Sequence, residues 1–235
     1  MKTTAIIVAA GKSERLPGAV PKQFQPVAGR PVLAHTLRKF DLCPDVTDIL
    51  LVVAEEYLPY ASEAVVDRFE IKKVARIITG GESRFESVYK GLMSLDKNSE
   101  IVLVHDGVRP MVSPELISNG ISACVHCDAV VTALPASDTV KRVEGDYVLA
   151  TLDRNRLYLA QTPQVFRYQL LIDAYSKAAD EQIHYTDDAA VIEAAGCKVK
   201  IIRGDENNIK ITTPRDLDLM RYLLTVEEEN ADAGD

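Results

Sequence analysis

Behind a short apolar run, Thr3 to Val8, the chain reads Ala9-Ala10-Gly11-Lys12-Ser13-Glu14-Arg15-Leu16-Pro17-Gly18-Ala19-Val20-Pro21-Lys22-Gln23-Phe24. Ala9, Ala10 and Gly11 are small enough for the backbone to come close to a ligand. Lys12, Arg15 and Lys22 put three cations within eleven residues. A triphosphate needs both features: backbone N–H groups near its oxygens, and positive charge against about four negative charges. The spacing of a Walker A loop is absent, and so is the Gly-x-Gly-x-x-Gly of a dinucleotide fingerprint. The segment is therefore either a different kind of phosphate loop or an ordinary basic surface loop.

A second constellation is Val104-His105-Asp106-Gly107-Val108-Arg109-Pro110. Asp106 suits a hard divalent cation, because magnesium takes one or two protein carboxylates and completes its shell with phosphate oxygens and water. Arg109 either grips a phosphate or pairs with Asp106 itself. His105, inside an apolar run, is expected to be a satisfied core histidine rather than a base. Asn208-Ile209-Lys210-Ile211-Thr212 returns one more cation late in the chain. No His, Cys or Ser sits among triad-like partners. Cys124-x-x-Cys127 lacks the second pair a zinc tetrahedron needs, and it ends an apolar helical segment, Leu116 to Val125, so structural thiols are expected.

The elements that must position these groups follow from hydrophobic spacing. Val- and Ile-rich runs at Thr3–Val8, Asp48–Ala54, Ala75–Thr79, Ile101–His105, Ala129–Leu134 and Lys198–Arg203 read as strands, and four of them are nearly continuous hydrophobics, which suits burial on both faces. Between them lie helical spacings: Leu33, Leu37, Phe40; Val65, Phe69; Val88, Leu92, Leu95. The alternation predicts a Rossmann-like, doubly wound α/β fold with a mostly parallel sheet, which binds ligands at the carboxyl ends of its strands. Later helices start at Thr186-Asp187-Asp188, ending at Gly196, and at Thr213-Pro214-Arg215-Asp216. Residues 137–152 alternate polar and apolar around Glu144-Gly145-Asp146, which predicts a projecting β-hairpin arm, either an ordinary surface hairpin or a reach toward a partner subunit.

With 235 residues, 47% of them hydrophobic, the chain can bury a core without disulfides or metal, and one domain over 1–226 is expected. The net charge is −8, and five of the acids fall in the last nine residues, 227–235, which read as a solvated, disordered tail. A nucleic-acid-binding surface is not expected. The apolar run Ala5–Ala10 is too short for a signal peptide or membrane span, so a soluble cytoplasmic protein with no membrane partner is expected.

Taken together, Ala9–Phe24, Gly80-Gly81-Glu82-Ser83-Arg84 with Ser87, His105–Pro110, Asp138-Thr139-Val140-Lys141-Arg142, Leu152-Asp153-Arg154-Asn155, Thr162-Pro163-Gln164, Thr186-Asp187 and Asn208–Thr213 resemble the 2-C-methyl-D-erythritol 4-phosphate cytidylyltransferases of the non-mevalonate isoprenoid pathway. The resemblance runs in unbroken order from Thr3 to about Leu224. It implies CTP and the methylerythritol phosphate as substrates and Mg2+ as cofactor. Ala9, Ala10, Gly11, Gly81, Glu82 and Ser87 would surround cytosine and ribose. Arg15 and Lys22 would meet the triphosphate, Asp106 the magnesium and Lys210 the α-phosphate. Arg109 would bind the sugar phosphate, joined by Thr139, Arg154 and Thr186 from the other subunit of a homodimer formed through the 137–152 arm. The alternatives are a ribitol-5-phosphate or other polyol or sugar-phosphate nucleotidyltransferase, and a non-catalytic nucleotide sensor on the same fold.

Overall fold

The computed structural model describes residues 1–11, 20–96, 98–181, 183 and 185–232. Besides a two-residue pairing of Pro26–Val27 with Arg30–Pro31, its strands are β1 (Thr3–Ala9), β2 (Asp48–Val53), β3 (Val74–Thr79), β4 (Ile101–Asp106), β5 (Ala129–Pro135), β6 (Lys141–Glu144), β7 (Tyr147–Thr151), β8 (Tyr158–Arg167) and β9 (Lys200–Arg203). Seven of them form one sheet in the order β9-β5-β8-β4-β1-β2-β3. β1 pairs in parallel with β2 and β4, as β2 does with β3 and β5 with β9.

The exception is β8, antiparallel to both β4 and β5 and absent from the sequence reading. Its middle, Gln161-Thr162-Pro163-Gln164, is polar and holds a proline, which normally argues against a central strand. A bulge accommodates it: Ala160 pairs with Ala133 and Gln164 with Val131, so three residues oppose Thr132 alone. The freed polar groups find other partners, among them Thr132 Oγ1 donating to Pro163 O at 2.9 Å.

Helices α1 (Val32–Leu42), α2 (Arg84–Ser94), α3 (Pro114–Val125), α4 (Tyr168–Asp180), α5 (Asp188–Ala194) and α6 (Pro214–Asp232) cover the sheet. Alternate strand residues serve alternate layers. Ala5, Ile7, Ile101 and Leu103 join the cluster with Leu33 and Leu37 of α1 and Ile117 of α3. Ile6, Val102 and Val104 join Val88 and Leu92 of α2, Leu171 and Tyr175 of α4 and Ile192 of α5. Both faces are thus apolar, which is why these strands read as continuous hydrophobic runs. Residues 61–67 form a π-helical stretch, with Phe69 beyond its end.

Two expectations at the periphery met different outcomes. β6 and β7 pair around Gly145, whose φ of +54° suits its turn, in a two-stranded sheet of their own. Val143, Tyr147, Val148 and Leu149 stand exposed there, Tyr147 at 81%. The tail expected to be disordered from residue 227 is instead helical as far as Asp232. The chain enters α6 well capped, because Asp216 Oδ2 accepts from Thr213 N at 2.7 Å and Thr212 N at 2.8 Å, and Leu217 and Met220 bury against Val32, Val108 and Ile211. Lys39 Nζ then donates to Glu227 Oε2 at 2.8 Å, tying that turn to α1. Among the described residues no helix is long and apolar enough to cross a membrane.

Candidate active site

The chain order reverses at the β1–β4 pair, and the crevice lies beyond their carboxyl ends. Gln23 is 2% exposed and its Nε2 donates to Ala9 O at 2.8 Å and Gly11 O at 3.2 Å, fixing the small-residue segment after β1. The turn carrying Lys22 and Gln23 is anchored by buried Phe24, whose ring lies 4.9 Å from Tyr57 and 5.0 Å from Tyr60. At the end of β4, Gly107 N donates to Val8 O at 2.8 Å, and a Cβ on Gly107 would come within 2.9 Å of Ala9 Cβ; only glycine fits that crossing. Thr36 Oγ1 of α1 holds Gly107 O at 2.9 Å.

A cavity of about 180 Å³ opens here, lined by Ala9, Ala10, Gly11, Lys22, Gln23, Gly81, Glu82, Arg84, Ser87, Asp106 and Lys210. The α2 N-terminus builds one wall, since Ser83 Oγ accepts from Glu86 N at 3.1 Å and Glu86 Oε2 accepts from Glu82 N at 2.9 Å. Ser87 Oγ gives its hydrogen to Ser83 O at 2.9 Å and accepts from Gly81 N at 3.0 Å. Ser87 therefore shapes the Gly81 backbone.

A second cavity of about 130 Å³ adjoins the first and shares Arg84, Asp106 and Lys210 with it. Arg109, Ala160, Gln161, Thr162, Gln164, Thr186 and Asp187 complete its lining. Asp106 stands at the junction. Arg84 Nε meets its Oδ1 at 3.1 Å, while Lys210 Nζ at 2.7 Å and Arg109 Nε at 3.7 Å meet its Oδ2. Burial alone would raise this carboxyl, but the charges of Arg84, Lys210 and Arg109 hold it well below the usual carboxylate range. Arg109 faces Asp106 within the second cavity, as its pairing reading has it, while its NH1 donates to Asn208 O at 2.7 Å.

Of the residues expected to meet substrates, eleven converge on these cavities: Ala9, Ala10, Gly11, Lys22, Gly81, Glu82, Ser87, Asp106, Arg109, Lys210 and Thr186, and Thr186, expected from a partner subunit, lines the second cavity of its own chain. Thr139 and Arg154 do not line either one. Both are exposed at the base of the arm, where Arg154 donates to Ser137 O at 2.9 Å. Lys12 and Arg15 lie outside the described residues. Sequence reasoning gave no role to Arg84, Thr162 or Gln164. Arg84 carried one signal, a cation in the first turn of a helix, where the macrodipole disfavours it.

His105 is the satisfied core histidine its strand position suggested. Residues 101 and 103 face the α1 layer, and His105 follows them, its ring 4.8 Å from Phe40. Arg109 O lies 3.2 Å from Nε2 and Thr162 Oγ1 3.0 Å from Nδ1. Burial pushes the imidazole down from 6.5 to about 3. His35 is lowered by burial too. Unfolded chains take up these protons near pH 6.5 while the folded protein refuses them, so stability is full above that pH and falls as pH drops toward 3. Urea midpoints at pH 7 and 5 should differ, with each histidine costing up to about 1.4 kcal/mol per pH unit; an unchanged midpoint would show that the folded state accepts the protons. The cysteines are free, burial pushes the Cys124 thiol up to about 12, and no metal-binding cluster of His, Cys, Asp or Glu occurs among the described residues.

A mostly parallel α/β sheet with a small-residue loop at its switch point, and cations gathered around one carboxylate, defines a nucleotidyltransferase-like protein. The family model for 2-C-methyl-D-erythritol 4-phosphate cytidylyltransferase matches residues 3–226, and the chain belongs to that family. It is 40% identical over 232 residues to the 2-C-methyl-D-erythritol 4-phosphate cytidylyltransferase of Geotalea uraniireducens, covering 97% of this chain and all of that one. A relative of the same description from Pelotomaculum thermopropionicum is 41% identical over 99% of both chains. Among solved structures, the 4-diphosphocytidyl-2C-methyl-D-erythritol synthase of Anaerococcus prevotii superposes with a TM-score of 0.83 at 34% identity, covering 95% of this chain and 96% of that one. The Thermus thermophilus cytidylyltransferase gives 0.78 at 30% identity, covering 96% of this chain and 100% of that one.

Proposed function

We propose that this protein transfers CMP from CTP to 2-C-methyl-D-erythritol 4-phosphate, giving 4-diphosphocytidyl-2-C-methyl-D-erythritol and pyrophosphate. Family membership across residues 3–226 carries this reading, and two adjoining cavities with a shared wall of Arg84, Asp106 and Lys210 suit two anionic substrates. A phosphate oxygen of the polyol attacks the α-phosphorus of CTP in line. The new P–O bond forms as the bond to the bridging oxygen breaks, and that electron pair leaves with pyrophosphate. A phosphate monoester is already largely dianionic at neutral pH, its second pKa being about 6, so no general base is required. Nothing in the His105 environment offers one. What the protein must supply is alignment of two mutually repelling anions and positive charge at the α-phosphoryl and leaving oxygens.

Lys22 and Arg15 meet the triphosphate and Lys210 the α-phosphate. Ala9, Ala10, Gly11, Gly81 and Glu82 enclose the nucleoside, with Ser87 holding Gly81 in place. Arg109 takes the polyol phosphate. Thr186 of the same chain stands beside it, and Thr139 and Arg154 reach it from the partner in a homodimer joined through the exposed apolar arm. The enzyme works in the cytoplasm, a reading that its free thiols support.

One ionised carboxylate at the cavity junction fits Mg2+, which draws its remaining ligands from phosphates and water, and Asp106 is the residue that would hold it. When bound, the ion supplies charge neutralisation to the triphosphate. EDTA should abolish activity and magnesium restore it, while Asp106→Asn should raise the magnesium midpoint and lower kcat; full turnover without divalent metal overturns the assignment. The function itself is tested by pyrophosphate release with CTP, UTP, ATP and GTP crossed with methylerythritol phosphate and ribitol 5-phosphate. Release with CTP and the methylerythritol ester alone is expected. Preference for ribitol 5-phosphate, or CTP binding without release, rejects it.

A further inference from the structure

Asp188 is a fully buried carboxylate at the first position of α5, and such a charge is costly unless completely paired. Its partners come from two other helices. Arg84 NH1 donates to Oδ1 at 3.0 Å and NH2 to Oδ2 at 2.8 Å, a bidentate fork. The Tyr175 hydroxyl of α4 also donates to Oδ1, and that ring stacks on Phe85 at 4.6 Å. The third edge of the Arg84 guanidinium, Nε, meets Asp106. Burial works against the charge on Arg84, and Asp188 with Asp106 more than offsets it, holding the guanidinium firmly protonated.

One planar group therefore joins two carboxylates 82 positions apart in the chain, at residues 106 and 188, and it forms wall of both cavities. Asp188 directly follows Asp187, whose Oδ1 caps α5 by accepting from Ala190 N at 3.0 Å, and Thr186 at the rim of the second cavity. Arg84 follows the Gly81–Ser83 wall of the first. Resting on the two-substrate reading above, we propose that Arg84, clamped by Asp188 and Tyr175, is a positioning residue that sets the spacing between the nucleotide wall and the wall for the second substrate, and orients Asp106 between them. A lysine keeps the charge at position 84 but cannot span both carboxylates.

An error in spacing penalises the step in which both substrates must align, so the loss should appear in kcat rather than in either KM; misplacement by about 1 Å can cost about 100-fold. Arg84→Lys and Asp188→Asn should each lower kcat about 30- to 100-fold, with KM for CTP and for methylerythritol phosphate within about threefold of wild type. Because the two act as one unit, the double variant should fall within about threefold of the worse single one. Tyr175→Phe keeps the ring and both charges, and should lower kcat about three- to tenfold with KM values unchanged. Thermal melting and calorimetric CTP binding accompany each variant. If Asp188→Asn does not fold, Arg84→Lys and Tyr175→Phe decide by the same split. Folded variants with normal kcat, effects that multiply, or losses confined to KM overturn the positioning role. Failure of the two-substrate reading is seen separately, as a wild-type protein that binds CTP but releases no pyrophosphate with the polyol phosphate.

Discussion

Replacing Lys210 by Ala should lower kcat by about 10²- to 10³-fold, the scale of losing one well-aimed charge from a preorganised site. Lys210 reaches the junction because the segment after β9 is pinned on both sides: Asn208 Nδ2 donates to Thr162 O at 2.8 Å and Ile211 N to Val108 O at 2.9 Å. Its ammonium lies 2.7 Å from Asp106 Oδ2, yet the side chain is 39% exposed, so a large share of it can turn to an arriving phosphate. Two effects of the substitution compete for attention. The ion pair is partly solvated and such pairs are worth about 1 kcal/mol or less, so the melting temperature should barely move. Charge at the α-phosphoryl oxygens matters chiefly in the transition state, so kcat should carry the loss. Steady-state kinetics with thermal melting separate the two. A variant that melts early but turns over normally would show Lys210 to be a structural counter-ion of Asp106.

Mixing two inactive variants should restore activity. On the homodimer proposed above, Lys22→Ala damages the cavity built by a subunit itself, whereas Arg154→Ala damages what the arm would deliver across the interface. Arg154 is exposed, and among the described residues it lines neither of the two site cavities of its own chain. In a two-fold dimer the interface exchanges equivalent elements. Each mixed dimer then holds one site with both defects and one with neither. Random exchange makes half the dimers mixed, so about a quarter of wild-type sites should return. Native mass spectrometry counts the heterodimers and a pyrophosphate assay the sites. Heterodimers without activity would show that Arg154 serves its own subunit.

Much of the scaffold was legible because burial on both faces leaves a dense apolar trace. Six strands announced themselves as Val- and Ile-rich runs, and their carboxyl ends located Ala9, Asp106 and the nearby cations. The seventh sheet strand hid because Gln161, Thr162 and Gln164 are polar for reasons outside their own segment: Thr162 Oγ1 accepts from Asp106 N at 3.1 Å, and Gln164 Nε2 donates to Asp187 Oδ2 at 2.8 Å. The Arg84–Asp188 pair was invisible for a related reason, since its partners stand 104 positions apart and neither periodicity nor spacing links them. A run of acids from residue 227 suggested a solvated, disordered tail: Glu227, Glu228 and Glu229 are exposed, yet helical structure begun by the Asp216 cap at Pro214 carries through to Asp232.

The antiparallel course of β8 divides the sheet mechanically. β3, β2, β1 and β4 form one parallel panel, and β5 with β9 another; the ladder joining the two panels passes through β8. On the β5 side that ladder is interrupted between Ala160 and Gln164, where the strand turns its polar groups toward the crevice. The sheet therefore has a seam, and the second cavity sits on it. Loosening β8 would let one panel swing against the other without unfolding either, so amide exchange along Tyr158–Arg167 reports the cohesion of the whole sheet. Filling the second cavity should slow that exchange more than exchange in β1 or β2, far from the seam.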